Sequence, residues 1–423
     1  MWIKTYGMRV FLLLFFGFFG ITGYAQNAGT EDLLDIQVDV VYLASDLLEG
    51  REAGKRGERM AARYISARMA EIGLEPKGSK GFYQSFPFEA TDPHATPDRN
   101  NPHARPKGEK RTGQNVVGYL DNKAKTTVVI GGHYDHLGFA HSGSRHVGPP
   151  AIHNGADDNA SGIAALLYLA EKLKTEGPKR HNYLFIAFSA EEMGLYGSKY
   201  YVANPTIDLT KVSYMLNMDM IGRLNPAKVL AVNGIGTSPS WEAALARNKT
   251  AGLTTKTTKS GIGPSDHTSF YLAKIPVLHF FSGQHTDYHK PGDDSHLVNY
   301  QGILDIANFM YALIEDVSKE RKLAYTETQD DNAGRAAASF KVTLGVMPDY
   351  VHDGEGMRID AVLPGRVAAK AGLQNGDVLI KIGDRDVKDI YDYMEGLADF
   401  EAGQTTTVVV NRKGKEVKAE VTF

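Results

Sequence analysis

The stretch Thr127-Val128-Val129-Ile130-Gly131-Gly132-His133-Tyr134-Asp135-His136 carries two messages in ten residues. Its first part is a short apolar run without alternation, as in a strand buried on both faces. Its second part drops bulk for two glycines and then sets out His, Asp and His. Residues 183–189, 212–218 and 275–281 repeat the apolar pattern, and helical patterns such as 163–173 and 241–249 separate them. Strands and helices in alternation predict an α/β domain, a mostly parallel sheet sandwiched by helices. In such sheets functional groups gather beyond the carboxyl ends of the strands. His133, Glu191, Asp219 and His289 each follow one of the four runs.

The rest of the chain frames that domain. Residues 32–48 and 58–72 are expected to be helical. In the second, Met60, Ala61, Tyr64, Ile65, Met69 and Ile72 share a face and Gly73 ends it. Residues 91–111, rich in Pro, Asn, His and Lys, form an expected surface loop. A helix over 303–317 closes the domain, assigned to 26–325, and a polar linker is expected over 326–338. Beyond it, 339–423 is a small β-rich domain with expected strands at 340–346, 358–362, 378–382, 405–411 and 416–423.

Composition sets the outer bounds. The 423 residues are 42% apolar and 23% charged, ordinary values for a globular protein, and a net charge of −3 offers nucleic acid no attraction. Residues 1–25 hold Lys4 and Arg9, an apolar run over 10–21 and Gly23-Tyr24-Ala25, the three parts of a cleaved secretory signal. The expectation is an exported protein, periplasmic or secreted, with no membrane span after cleavage. The chain has no cysteine, so any tightly bound metal must use His and carboxylates.

Asp135, two residues after His133, suits a carboxylate that orients an imidazole. Asp157-Asp158 places like charges side by side, which is costly without a cation nearby. Helix capping ahead of Ile163 is the plainer account, and capping by Asn159 or Ser161 is compatible with metal binding by Asp157. Glu191 and Glu192 end an apolar strand and point in different directions, so one can ligate metal while the other faces water. Asp219, between two methionines, needs a cation or an ion pair with Arg223. Tyr134, Phe270, Tyr271, Phe280 and Phe281 are assigned mainly to the core, Asp266 and His267 to a loop near the site. His136, His141, His146 and His153 form a further cluster.

The segments 131–138 (GGHYDHLG), 154–162 (NGADDNASG), 190–198 (AEEMGLYGS), 217–222 (NMDMIG), 265–267 (SDH) and 288–293 (YHKPGD) resemble the M28 family of co-catalytic zinc aminopeptidases. The resemblance implies two Zn2+ ions bridged by Asp157, one completed by His133 and Asp219 and the other by Glu192 and His289. It implies Glu191 as general base, Asp135 as the orienting residue, Tyr288 as a donor to the oxyanion, and a cis Asp157–Asp158 peptide. It also implies a di-zinc exopeptidase that removes N-terminal residues from peptides through a metal-bridging hydroxide. Alternatives are a di-zinc carboxypeptidase or dipeptidase and, further off, a glutaminyl-cyclase-like acyltransferase or a non-catalytic scaffold. Residues 362–383 (VLPGRVAAKAGLQNGDVLIKIG) resemble a bacterial PDZ domain, which implies a loop at Leu344, Gly345 and Val346 that holds a peptide or protein C-terminus.

Overall fold

A computed structural model describes residues 30–90, 108–139, 143–146, 148–328, 342–348, 355–362, 365–388 and 390–423. The expected leader at 1–25, His141, and most of the expected loop and linker lie outside these residues. Helix α1 spans 30–43 and ends earlier than expected; a 3-10 turn, Asp46–Arg51, follows. Helix α2, Arg56–Ile72, stops where Gly73 takes a left-handed φ of 82°.

Strands β1 (Glu75–Pro76), β2 (Tyr83–Ala90), β3 (Glu109–Leu120), β4 (Thr127–His133), β5 (Asn182–Phe188), β6 (Val212–Met218), β7 (Val229–Asn233), β8 (Thr254–Thr258) and β9 (Val277–Phe281) form one nine-stranded sheet. Its order is β1-β3-β5-β4-β6-β9-β7-β8, with β2 on β3. The centre, β5-β4-β6-β9, is parallel. Strands β2 and β3 add antiparallel pairs at one side, and β7 meets β9 antiparallel at the other. The mostly parallel sheet thus holds for the strands that carry the site, while the flanks are mixed. The expected loop 91–111 also gives way at its end, because Glu109–Arg111 pair with Phe88–Ala90 in β2.

Alternate residues of the central strands enter different cores. Val128 and Ile130 join the side covered by α1, α2, α3 (Gly162–Thr175) and α7 (Tyr300–Val317). Val129, Leu184, Ile186 and Phe188 pack on the other side with Tyr201 of α4 (Tyr196–Ala203) and Phe270 of α6 (His267–Leu272). Burial on both faces is why these strands are apolar without alternation. Helix α5, Ser240–Arg247, seats Trp241 in the first core.

The second sheet comprises β10 (Val346–Pro348), β11 (Met357–Val362), β12 (Val378–Ile382), β13 (Arg385–Asp386), β14 (Thr405–Arg412) and β15 (Lys415–Thr422). Its pairs are antiparallel, and short helices α8 (Val367–Lys370) and α9 (Ile390–Ala398) accompany it. The start of the expected linker is held rather than free: Thr326 N–H donates to Thr237 O, and Thr328 bonds the Tyr271 hydroxyl.

Candidate metal centre

The centre forms where the parallel strands end. His133 is the last residue of β4, and Asp219 follows β6 directly. Gly132 is required here: a Cβ would lie 2.8 Å from Met218 O of the neighbouring strand. Asp158 comes from the turn before α3. At Gly155, with φ +56°, a Cβ would lie 2.6 Å from the His136 ring.

One carboxylate stands between two histidines. Asp158 Oδ1 is 3.3 Å from His133 Nε2, and Oδ2 is 3.2 Å from His289 Nε2. On one side Asp219 Oδ1 lies 3.4 Å from His133 Nε2; on the other Glu192 Oε2 lies 3.2 Å from His289 Nε2. Donor atoms of His133, Asp158 and Glu192, and of His133, Glu191 and Asp219, fall within 4.8 Å of one another. Asp135 accepts the Glu191 N–H on Oδ1 at 3.1 Å and lies 3.8 Å from His133 Nδ1, whose closer neighbour is the Asp135 backbone oxygen at 3.2 Å.

Asp158, and not the expected Asp157, stands between the histidines. Asp157 turns the other way, accepting from Gly222 N–H at 2.5 Å and Ser161 Oγ at 3.1 Å, with His285 Nε2 at 3.2 Å. Adjacent residues in a turn send their side chains in different directions, and two identical neighbours give no local sign of which faces inward. The cis peptide likewise joins Asp158 to Asn159, not Asp157 to Asp158. Asp219 is not paired with Arg223, which lies 3.2 Å from Asp287 and 3.6 Å from Asp293.

The electrostatics match a site built for cations. Burial works against ionisation of Glu192, yet His289 and His136 outweigh it and hold the carboxyl down at about 2. Burial would lower His289, but Glu192 and Asp158 drive it up to about 10. Asp158 is held well below the carboxylate range despite its burial by His136, His133 and His289. Burial pushes Glu191 well above its ordinary range, with Asp219 and Asp266 adding to the effect and His133 opposing it. Histidine and carboxylate donors alone, with buried like charges, suit hard or borderline divalent cations.

Several supporting residues escaped the sequence reading. Fully buried Arg51 donates to the carbonyls of Leu43, Tyr134, Asn154 and Gly155, fastening both ligand-bearing loops. Asp293 accepts the N–H groups of Asp157 and Asp158 at 3.0 Å each. Asn159 bonds the carbonyls of His133 and Met218 and accepts from Gly162 and Met220. Its bond to Gly162 N–H is the expected cap of α3. Of the histidine cluster, His136 faces the carboxylates, while His153 bonds Ser144 and Ala151. Asp266 and His267 are buried at the start of α6, and the His267 ring stacks on His279 at 4.5 Å. Tyr288 stacks on the His289 ring at 3.9 Å under the Arg145 guanidinium. Tyr134, Phe270, Tyr271 and Phe280 are buried; Phe281 is half-buried.

In the second sheet Leu344 O accepts from Ala368 N–H at 2.8 Å, Gly345 has φ 72°, and Val346 pairs with Val362. The Gly345 N–H is taken by Thr343 Oγ1 at 3.0 Å. Strand β10 ends the sheet, so among the described residues its outer edge carries no strand.

Known proteins resemble this chain in two separate stretches. The model of peptidase family M28 matches residues 115–314, and that of the PDZ domain matches 342–423. Leupeptin-inactivating enzyme 1 of Streptomyces exfoliatus is 37% identical over 183 residues, covering 42% of this chain and 37% of the relative. Aminopeptidase YwaD of Bacillus subtilis is 30% identical over 226 residues, covering 50% and 46%. The chain thus spans between about a third and a half of the curated relatives' length. The crystal structure of BSAP, a zinc aminopeptidase from Bacillus subtilis, superimposes with a TM-score of 0.54 at 18% identity, over 69% of this chain and 95% of that one, and shares the fold. No helix among the described residues is long and apolar enough to cross a membrane.

Proposed function

We propose that this chain, whose residues 115–314 match the model of peptidase family M28 and whose residues 342–423 match that of the PDZ domain, is a di-zinc aminopeptidase. The observation that carries the reading is the Asp158 carboxylate, with one oxygen toward His133 and the other toward His289. In this reading His133 and Asp219 complete one ion position, Glu192 and His289 the other. Zinc is favoured by the family and by the zinc aminopeptidase of like fold.

Bound there, a pair of divalent ions supplies polarisation of the scissile carbonyl and a lowered pKa for water. The chain's own groups do the rest. Glu191, buried beside His133 and Asp219 with its carboxyl raised, takes a proton from the attacking water and passes it to the leaving amine. Asp135 holds the Glu191 backbone on one carboxylate oxygen and stands beside the His133 ring, keeping base and ligand in register. Tyr288, stacked on His289, is the oxyanion donor of this scheme. The outer edge of β10, next to Leu344, Gly345 and Val346, would take a peptide or protein C-terminus as an added strand. The leader pattern of residues 1–25 supports export to the periplasm or medium.

The test is hydrolysis by the full chain of paired peptides, free or acetylated at the N-terminus, with and without chelator, products read by mass spectrometry. Loss of single N-terminal residues from the free peptides only, abolished by chelator and restored by zinc, is expected. Cleavage confined to blocked peptides, or unaffected by chelation, would overturn the assignment.

A further inference from the structure

His136 is buried in the centre but has no part in the scheme above. It lies in the turn after β4, where its backbone N–H donates to Arg51 O at 3.3 Å. Its Nδ1 is 2.7 Å from Glu192 Oε1 and 3.8 Å from Asp158 Oδ2, and its ring stands edge-on to His289, centroids 5.8 Å apart. The two oxygens of Glu192 are therefore divided: Oε1 is held by His136, and Oε2 faces His289 Nε2 at 3.2 Å. Asp219 has a different setting, since the imidazole beside it is His133 itself.

We propose that His136 is a positioning residue for one ion position alone, holding Glu192 so that a single oxygen is presented beside His289 and Asp158. The proposal rests on the two-ion reading. A short carboxylate on a flexible stem otherwise swings between one-oxygen and two-oxygen contact with a cation. A hydrogen bond to one oxygen removes that freedom before the ion arrives. Partners behind metal ligands typically contribute about 10–100-fold in affinity. The other position, built from His133 and Asp219, does not depend on His136.

The test uses the full chain stripped of metal and titrated with zinc by calorimetry against a competing chelator, with cobalt absorption as a second readout. The variants are His136→Ala, His136→Asn, Glu192→Ala and the Ala/Ala double. Asparagine places an N–H donor about where His136 Nδ1 sits. Wild type should take up two ions. His136→Ala should keep one event unchanged and weaken the other about 10–100-fold, and His136→Asn should regain most of that loss. The double variant should bind no worse than Glu192→Ala, because His136 acts through Glu192. Two wild-type events in His136→Ala, equal weakening of both, or no recovery with asparagine would each overturn the proposal. A wild-type chain that takes up a single ion refutes the two-ion reading first, and the role of His136 with it.

Discussion

Exchanging either of two neighbouring carboxylates, Asp157→Asn or Asp158→Asn, puts the centre's layout to its most direct test. Asp158 lies 3.3 Å from His133 Nε2 and 3.2 Å from His289 Nε2, so under the proposed di-zinc scheme neutralising it withdraws charge from both ion positions at once. Unit charges 4 Å apart at an effective dielectric of about 20 interact by about 4 kcal/mol. At about 1.4 kcal/mol per decade, that is on the order of a thousandfold in affinity for each unit of cation charge. The amide also turns an –NH2 toward one of the two positions, so a single oxygen no longer serves both. Asp157→Asn should behave differently. Its carbonyl oxygen can still accept from Gly222 N–H and Ser161 Oγ, and the lost charge faces His285 at 3.2 Å. A stability loss of about 1–3 kcal/mol is expected there, with metal content unchanged. Elemental analysis after gel filtration, paired with calorimetric Tm, reads both quantities. An Asp157→Asn protein without metal beside an Asp158→Asn protein with two ions would refute the reasoning.

Glu191→Gln should retain two ions by elemental analysis and lose nearly all turnover, because the amide cannot take the proton. Arg51→Met leaves the carbonyls of Leu43, Tyr134, Asn154 and Gly155 without their donor, and should lower stability by about 3 kcal/mol or more, measured by urea unfolding. In the second sheet burial opposes ionisation of Asp377, but two Arg412 N–H bonds at 2.7 Å prevail and hold its carboxyl below the usual range. A depressed carboxyl stabilises above its unfolded pKa of about 3.9 and loses that contribution as pH falls through its lower folded value. The urea midpoint of this region should therefore fall more steeply below about pH 4 in wild type than in Asp377→Asn.

Much of the fold was legible because the central strands are buried on both faces: the run 212–218 coincides with β6 and 378–382 with β12. The start of β3 was missed because Glu109, Lys110 and Arg111 are polar, and their pairing with β2 makes them a strand. Helix α1 ended early because an apolar sequence continues into the turn at Asp46, where nothing in the pattern marks the break. The dispersed side chains that converge on the centre were readable from their place after strands. The choice between Asp157 and Asp158 was not, since it depends on backbone direction in one turn. Arg51 left no trace in sequence either, because its partners are backbone carbonyls, which any residues could supply.

Asn159 has a consequence of its own. A single amide laces together the ends of β4 and β6 and the first turn of α3, through His133, Met218, Met220 and Gly162. The bonds that hold the scaffold under the centre thus run between protein groups alone. Emptying the centre should leave a vacancy rather than a collapse, and refilling it should proceed at the pace of ion arrival instead of the pace of chain reorganisation.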